Sequence, residues 1–214
     1  MTNAPPVDGQ ELAALVAAKL CHDFISPSGA IVSGLDLLKD PSAQDMKDDA
    51  LALIESSANK LVSLVNVARV AFGAATSAER FSSAEIEALA RSAFDGLRAE
   101  LDWAVADRSF SKPQARALLN LSLLAGGALP GGGVARIEAR DGTGRLVLEA
   151  TSEGPRARLK GEVETGLKGE RLTDGLPGQW IQPYWLWLTA SEAGGGVTVE
   201  LEEGRVRITV EMPA

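Results

Sequence analysis

The stretch QELAALVAAKLCHDFISPSGAIVSGLDLL, residues 10–38, decides the fold. Its apolar positions Leu12, Val16, Leu20, Phe24, Pro27, Ile31, Leu35 and Leu38 recur every three or four residues, one continuous helical stripe. Lys39-Asp40-Pro41 ends it. Ser42 followed by Asp45 reads as a weak capping box opening a second helix, which carries Met46, Ala50, Leu53, Ile54, Leu61, Leu64, Val65, Ala68 and Phe72. So short a connection predicts an antiparallel hairpin. Both helices also hold apolar residues off the main stripe: Leu15, Val32 and Leu37 in the first, Leu51, Val62, Val67 and Val70 in the second. One hairpin partner cannot cover two faces. Burial against a second copy predicts a four-helix bundle across a two-fold axis; burial under the rest of the chain is the alternative.

On a wheel of 100° per residue, His22 lies on the side opposite the stripe. Ala18, Ser26, Gly29 and Ser33 share its face, with Leu15 and Ile25 at the edges. The only histidine of the chain is therefore expected in solvent, among side chains short enough for another protein to approach. Pro27 cannot donate to the carbonyl of Asp23, which predicts a kink just past the histidine. An imidazole is partly neutral near physiological pH and can attack a phosphoryl group unaided. Asp23 is a candidate to orient the ring or accept its proton, although adjacent residues on a helix do not face each other. The alternative is a solvated histidine with no chemistry.

The chain changes character near Gly73-Ala-Ala-Thr-Ser-Ala78, a small-residue hinge, giving domains at 1–78 and 79–214. The first nine residues, with Pro5 and Pro6, read as a frayed tail. The second domain holds all four tryptophans and the only tyrosine. Ser82-Ser-Ala-Glu85 is a capping box opening a helix to about Asp95. A strand at 101–106, a helix at 112–129 with Pro113 in its first turn, and a hairpin of 134–140 with 145–150 follow. A helix near 179–192 and a hairpin of 197–201 with 206–210 complete a two-layer sandwich. The expected class is α plus α/β: a helical hairpin that dimerises into a bundle, then an α/β sandwich.

Composition narrows the function. Over 214 residues, 29 Asp and Glu outweigh 21 Lys and Arg, a net charge of −8, which argues against a phosphate-backbone partner such as nucleic acid. No apolar run approaches membrane-span length and no secretory pattern is readable, so no membrane is expected and the cytoplasm is the expected location. One cysteine, Cys21, and one histidine leave no His/Cys metal cluster to build.

Cys21-His22-Asp23-Phe24-Ile25-Ser26-Pro27 resembles the phospho-acceptor box of two-component histidine kinases: His, an acid, an apolar residue, a variable position, Ser/Thr/Asn, then Pro. Ile25 departs from it, standing where kinases usually carry a basic residue. With the Ser-Gly-Ala-Ile-Val-Ser-Gly-Leu-Asp-Leu-Leu continuation and the second domain, nearly the whole chain resembles the ChpT family of histidine phosphotransferases. The resemblance implies a homodimeric phosphotransferase with His22 as phospho-acceptor, Asp23 and Ser26 beside it, and a docking ring of Leu15, Ala18, Ile25 and Gly29. It implies a hybrid histidine kinase receiver domain as donor and response regulators of the CtrA type as acceptors in a cell-cycle relay. No intrinsic cofactor is expected; Mg²⁺ is expected in the partner receiver's acidic pocket.

The second domain resembles a kinase ATP-binding domain, yet its nucleotide residues depart from the pattern. In the helix at 112–129, Asn120 matches the first asparagine of an Asn-x-x-x-Asn box, but Leu124 replaces the second. Where an adenine-reading Asp-x-Gly-x-Gly is expected, the chain has Ser152-Glu153-Gly154-Pro155-Arg156. Leucine cannot ligate a hard cation, and serine lacks the carboxylate charge for the adenine amine. Glu162, Glu164 and Glu170 populate the glycine-punctuated 161–175 stretch, partly offset by Lys160, Lys168 and Arg171. No useful ATP binding is expected, and Asn120 reads as a structural remnant. The rival expectations are a divergent ATP-using kinase core and a non-enzymatic dimeric scaffold. Trp180, Trp185 and Trp187 read as packing residues and Gly131-Gly-Gly133 as a loop.

Overall fold

The computed structural model describes residues 7–73 and 79–214. Most of the expected tail and of the expected hinge, residues 1–6 and 74–78, lies outside the described residues. Helix α1 (Gly9–Lys39) is capped by Asp8, whose carboxylate accepts from the Glu11 amide at 2.8 Å. It continues as helix through Pro27, where Ser28 Oγ donates to the Phe24 carbonyl at 2.8 Å. The next cap comes from Asp40, not Ser42. Its carboxylate accepts from the Ser42 hydroxyl and amide at 2.6 and 2.8 Å and opens a 3₁₀ turn, Pro41–Met46, ahead of α2 (Lys47–Ala71). An aspartate one residue before proline is better placed to cap than a serine one residue after it.

The two helices form the expected hairpin and pack tightly at Gly34. A Cβ there would meet Ile54 Cγ1 at 2.6 Å and the Ala50 carbonyl oxygen at 3.1 Å. Gly34→Leu is expected to destabilise the protein by about 2 kcal/mol, because overpacking outweighs the helix-propensity gain of leucine. A lower urea midpoint at unchanged slope checks this.

The second unit begins with a ribbon absent from the sequence reading: β1 (Arg80–Ser82) pairs antiparallel with β3 (Ser109–Ser111), Phe81 opposite Phe110. Three residues are too few to show a strand period. Between them lie α3 (Ser83–Phe94) and β2 (Ala99–Ala104), the latter two residues earlier than expected. The Ser82–Glu85 capping box is present: Glu85 accepts from the Ser82 amide at 2.8 Å, and these bonds hold its carboxyl below the usual glutamate range. Stabilisation by this box is therefore present at neutral pH and lost as pH falls through the lowered value. Glu85→Gln should remove that part of the acid-side decline in thermal stability.

Then come α4 (Lys112–Gly127), β4 (Gly133–Gly142), β5 (Arg145–Glu153), α5 (Gly161–Leu167), α6 (Pro177–Glu192), β6 (Gly196–Glu202) and β7 (Arg205–Pro213). Gly144, at φ +69°, makes the turn of the β4–β5 hairpin. Helix α5 lies inside the stretch read only as glycine-punctuated. The sheet order is β2-β4-β5-β7-β6, with β2–β4 parallel and the other pairs antiparallel. Ala135, Ile137, Leu146, Leu148, Ala150, Val206, Ile208 and Val210 fill one face, buried with Leu118, Leu121 and Ala125 of α4. The other face carries charge, including Arg207 bonded to Glu200 at 2.8 Å. This is the expected two-layer sandwich.

The surplus apolar surface of the hairpin divides. Val67 and Val70 join the core of the second domain, and Leu15 packs on Trp180, Ile181 and Tyr184 of α6. Burial by the chain's own domain corrects the expectation for these three. Val32, Leu51 and Val62 stay exposed, Val62 to 60%.

Candidate functional site

His22 presents 86% of its side chain to solvent from α1. Asp23 turns back beside it, with Oδ1 at 3.3 Å from Nδ1. A carboxylate only accepts, so this contact favours the proton on Nδ1 and leaves the lone pair on Nε2. Lys19, one turn earlier, donates to Asp23 Oδ2 at 2.5 Å. Sequence reasoning missed Lys19, although its i,i+4 spacing to Asp23 is the signal that could have found it.

Ala18, Ile25, Ser26 and Gly29 are exposed near the ring, Ile25 to 70%. A Cβ at Gly29 would meet nothing within 4 Å. Leu15 does not belong to this open ring. It lies two turns nearer the N-terminus, where α6 covers α1. An open groove of about 600 Å³ runs beside His22, and Asp23, Ser26, Ser56, Ser57 and Lys60 line it. The α2 residues of this set were also missed. Ser56, Ser57 and Lys60 belong to no motif or apolar spacing in the sequence, and only the hairpin brings them beside His22.

The kinase-like nucleotide positions have other employment. Asn120 is wholly buried; its Nδ2 donates to the Ala71 carbonyl at 2.8 Å and to the Arg116 carbonyl at 2.9 Å. Trp185 Nε1 donates to the same Ala71 oxygen at 3.0 Å, and its ring lies 5.8 Å from that of Phe72. Two side chains of the second domain thus grip the last residue of α2. Arg171 Nη2 donates to both carboxylate oxygens of Glu11, at 2.6 and 2.8 Å, and ties α1 to the same domain. Ser152 lies inside β5, which runs past the expected end at Ala150, and its hydroxyl donates to the Ala125 carbonyl of α4 at 3.0 Å. Leu124 is buried. Asn120 Nδ2 and the Ser152 hydroxyl are thus spent on backbone carbonyls inside the core, while Asn120 Oδ1 is buried without a hydrogen-bond partner. Trp180 stacks on Tyr184 at 4.3 Å between ring centres, in a packing role.

The structure is thus a helical hairpin bearing an exposed histidine, joined to an α/β sandwich. The family described as "Histidine phosphotransferase C-terminal domain" matches residues 83–205. A curated relative, "Protein phosphotransferase ChpT" of Brucella abortus (strain 2308), is 34% identical over 192 residues, covering 88% of this chain and 90% of the relative. A solved structure titled "1.7 Angstrom Structure of a Bacterial Phosphotransferase" superposes with a TM-score of 0.84 at 28% identity, covering 96% of this chain and 98% of the other. The chain belongs to the ChpT-like histidine phosphotransferase family. Among the described residues no helix is long and apolar enough to cross a membrane.

Proposed function

We propose that this protein relays phosphoryl groups between receiver domains through His22, without using ATP. The observation that carries the reading is the exposed imidazole with a carboxylate at Nδ1. The Nε2 lone pair attacks the phosphorus of an aspartyl phosphate on a donor receiver; the P–N bond forms and the P–O bond to the aspartate breaks. The carboxylate leaves with its electron pair, and the Nδ1 proton stays in place beside Asp23. In the second half, an aspartate oxygen of an acceptor receiver attacks phosphorus and the imidazole leaves. Mg²⁺ in the receiver's acidic pocket supplies charge shielding.

The donor in this reading is the receiver of a hybrid histidine kinase, and the acceptors are response regulators of the CtrA type in a cell-cycle relay. The setting is the cytoplasm. Ala18, Ile25, Ser26 and Gly29 form the contact ring, and the interface is small because partners must exchange. The working unit is a homodimer. Val32, Leu35, Leu51, Val62 and Val65 are exposed apolar residues spread along the hairpin, and a second copy buries them in a four-helix bundle. Val32→Glu with Val62→Glu is expected to convert the dimer to a monomer by light scattering, since paired like charges at an apolar seam are costly to bury.

Two label experiments test the relay. A receiver domain loaded with labelled phosphate, mixed with this protein, should place acid-labile, base-stable label on the chain within seconds to minutes. Labelled ATP with the protein alone should place none. Stable label from ATP, or none from the receiver, overturns the proposal.

A further inference from the structure

Lys19 is nearer the chemistry than its sequence position implies. Its ammonium grips Asp23 Oδ2, while Asp23 Oδ1 faces His22 Nδ1. One carboxylate therefore has both oxygens engaged, one by a cation and one by the ring. Lys19 and Asp23 are only 19% and 26% exposed, whereas His22 is 86% exposed. A pair so screened from water holds its geometry better than a surface ion pair. The shielding comes from the second domain as well as from the helix. Lys19 lines two small cavities between α1 and that domain, each shared with Leu123, Gly127 and Gln182.

We infer that Lys19 is a positioning residue for phosphoryl transfer: it fixes the Asp23 carboxylate, which fixes the tautomer and tilt of His22. The inference rests on His22 being the phosphoryl carrier. The physical reason is angular. Residues 22 and 23 diverge by 100° on the helix, so an unrestrained aspartate has no reason to stay at Nδ1. Residues 19 and 23 share one face, and the pair turns the carboxylate plane so that its second oxygen is offered to the ring. Without Lys19 the carboxylate rotates into water, and the imidazole samples the form with its proton on Nε2, which has no lone pair for phosphorus. The chain thereby gives the second domain a use at the site. Its wall confines the lysine that confines the aspartate.

Because His22 is the only histidine, ¹⁵N-imidazole NMR reads its tautomer with no assignment problem. In the full-length dimeric protein, Lys19→Met, which keeps the stem and removes the charge, should move the neutral ring from the Nδ1–H form towards the Nε2–H form. It should also slow transfer from a phosphorylated receiver about tenfold, the scale on which a small misorientation acts. Lys19→Arg restores the ion pair and should recover both tautomer and rate to within about threefold. Lys19→Gln provides a second neutral variant and should behave as the methionine does. The inference is overturned if Lys19→Met and Lys19→Gln keep the wild-type tautomer ratio, or if the arginine variant is as slow as the neutral ones. His22→Gln, run alongside, separates the two readings. If it still transfers, the carrier assignment fails; if it is inert while the lysine variants match wild type, only the role of Lys19 fails.

Discussion

With His22 replaced by glutamine, transfer from a phosphorylated receiver is expected to fall by at least about 10³-fold, the scale seen when a nucleophile is deleted from a positioned site. Glutamine is close in size and its amide still donates and accepts, but its nitrogen has no available lone pair. No other histidine exists in the chain to take over. The side chain is 86% exposed, so folding should be unaffected to within about 0.5 kcal/mol. Melting temperature and the mass in solution therefore serve as internal controls. A glutamine variant that drains the receiver's label at the wild-type rate would remove His22 from the mechanism.

The second large effect is on stability and lies far from His22. Asn120→Ala should destabilise the protein by about 2–3 kcal/mol, because it removes both Nδ2 hydrogen bonds from a fully buried position and leaves a void. At this chain length that is roughly 5–10 °C in melting temperature. Asn120→Asp should be worse still, because its carboxylate would be set against the carbonyls of Ala71 and Arg116. This second variant decides between two roles for the asparagine. A metal-holding residue would tolerate aspartate and gain thermal stability from Mg²⁺. A residue that clamps the hairpin to the second domain would do neither. Calorimetry of both variants with and without Mg²⁺ checks the expectation.

Much of this architecture is legible in the sequence because it is periodic or carries local chemistry. The stripe from Leu12 to Leu38 places α1 to within a residue or two. Ser82 and Glu85 mark the start of α3, and the glycine-rich turn at 141–144 marks the β4–β5 hairpin. The helix wheel places His22 on the solvent face, where the structure has it. What was not legible depends on tertiary partners. Leu15 sits at the edge of the histidine face on a wheel, and only the arrival of α6 takes it out of solvent. Asp40 and Ser42 are both plausible caps in a string, and backbone geometry selects the aspartate. Lys19 could be paired with Asp23 by spacing, but its enclosure by α4 and α6 residues cannot be read from one helix. Nor could the sequence show that Asn120 reaches 49 positions back along the chain to the end of α2.

That last contact has an asymmetry. The acceptor at Ala71 is a main-chain oxygen, present whichever amino acid is encoded there, and it receives both Asn120 and Trp185. No codon change at position 71 can delete it; such a change alters only volume at a site with no room to spare. Mutational scanning of the junction should therefore find its polar sensitivity on the donor side alone, at 120 and 185, with residue 71 responding to size and not to polarity.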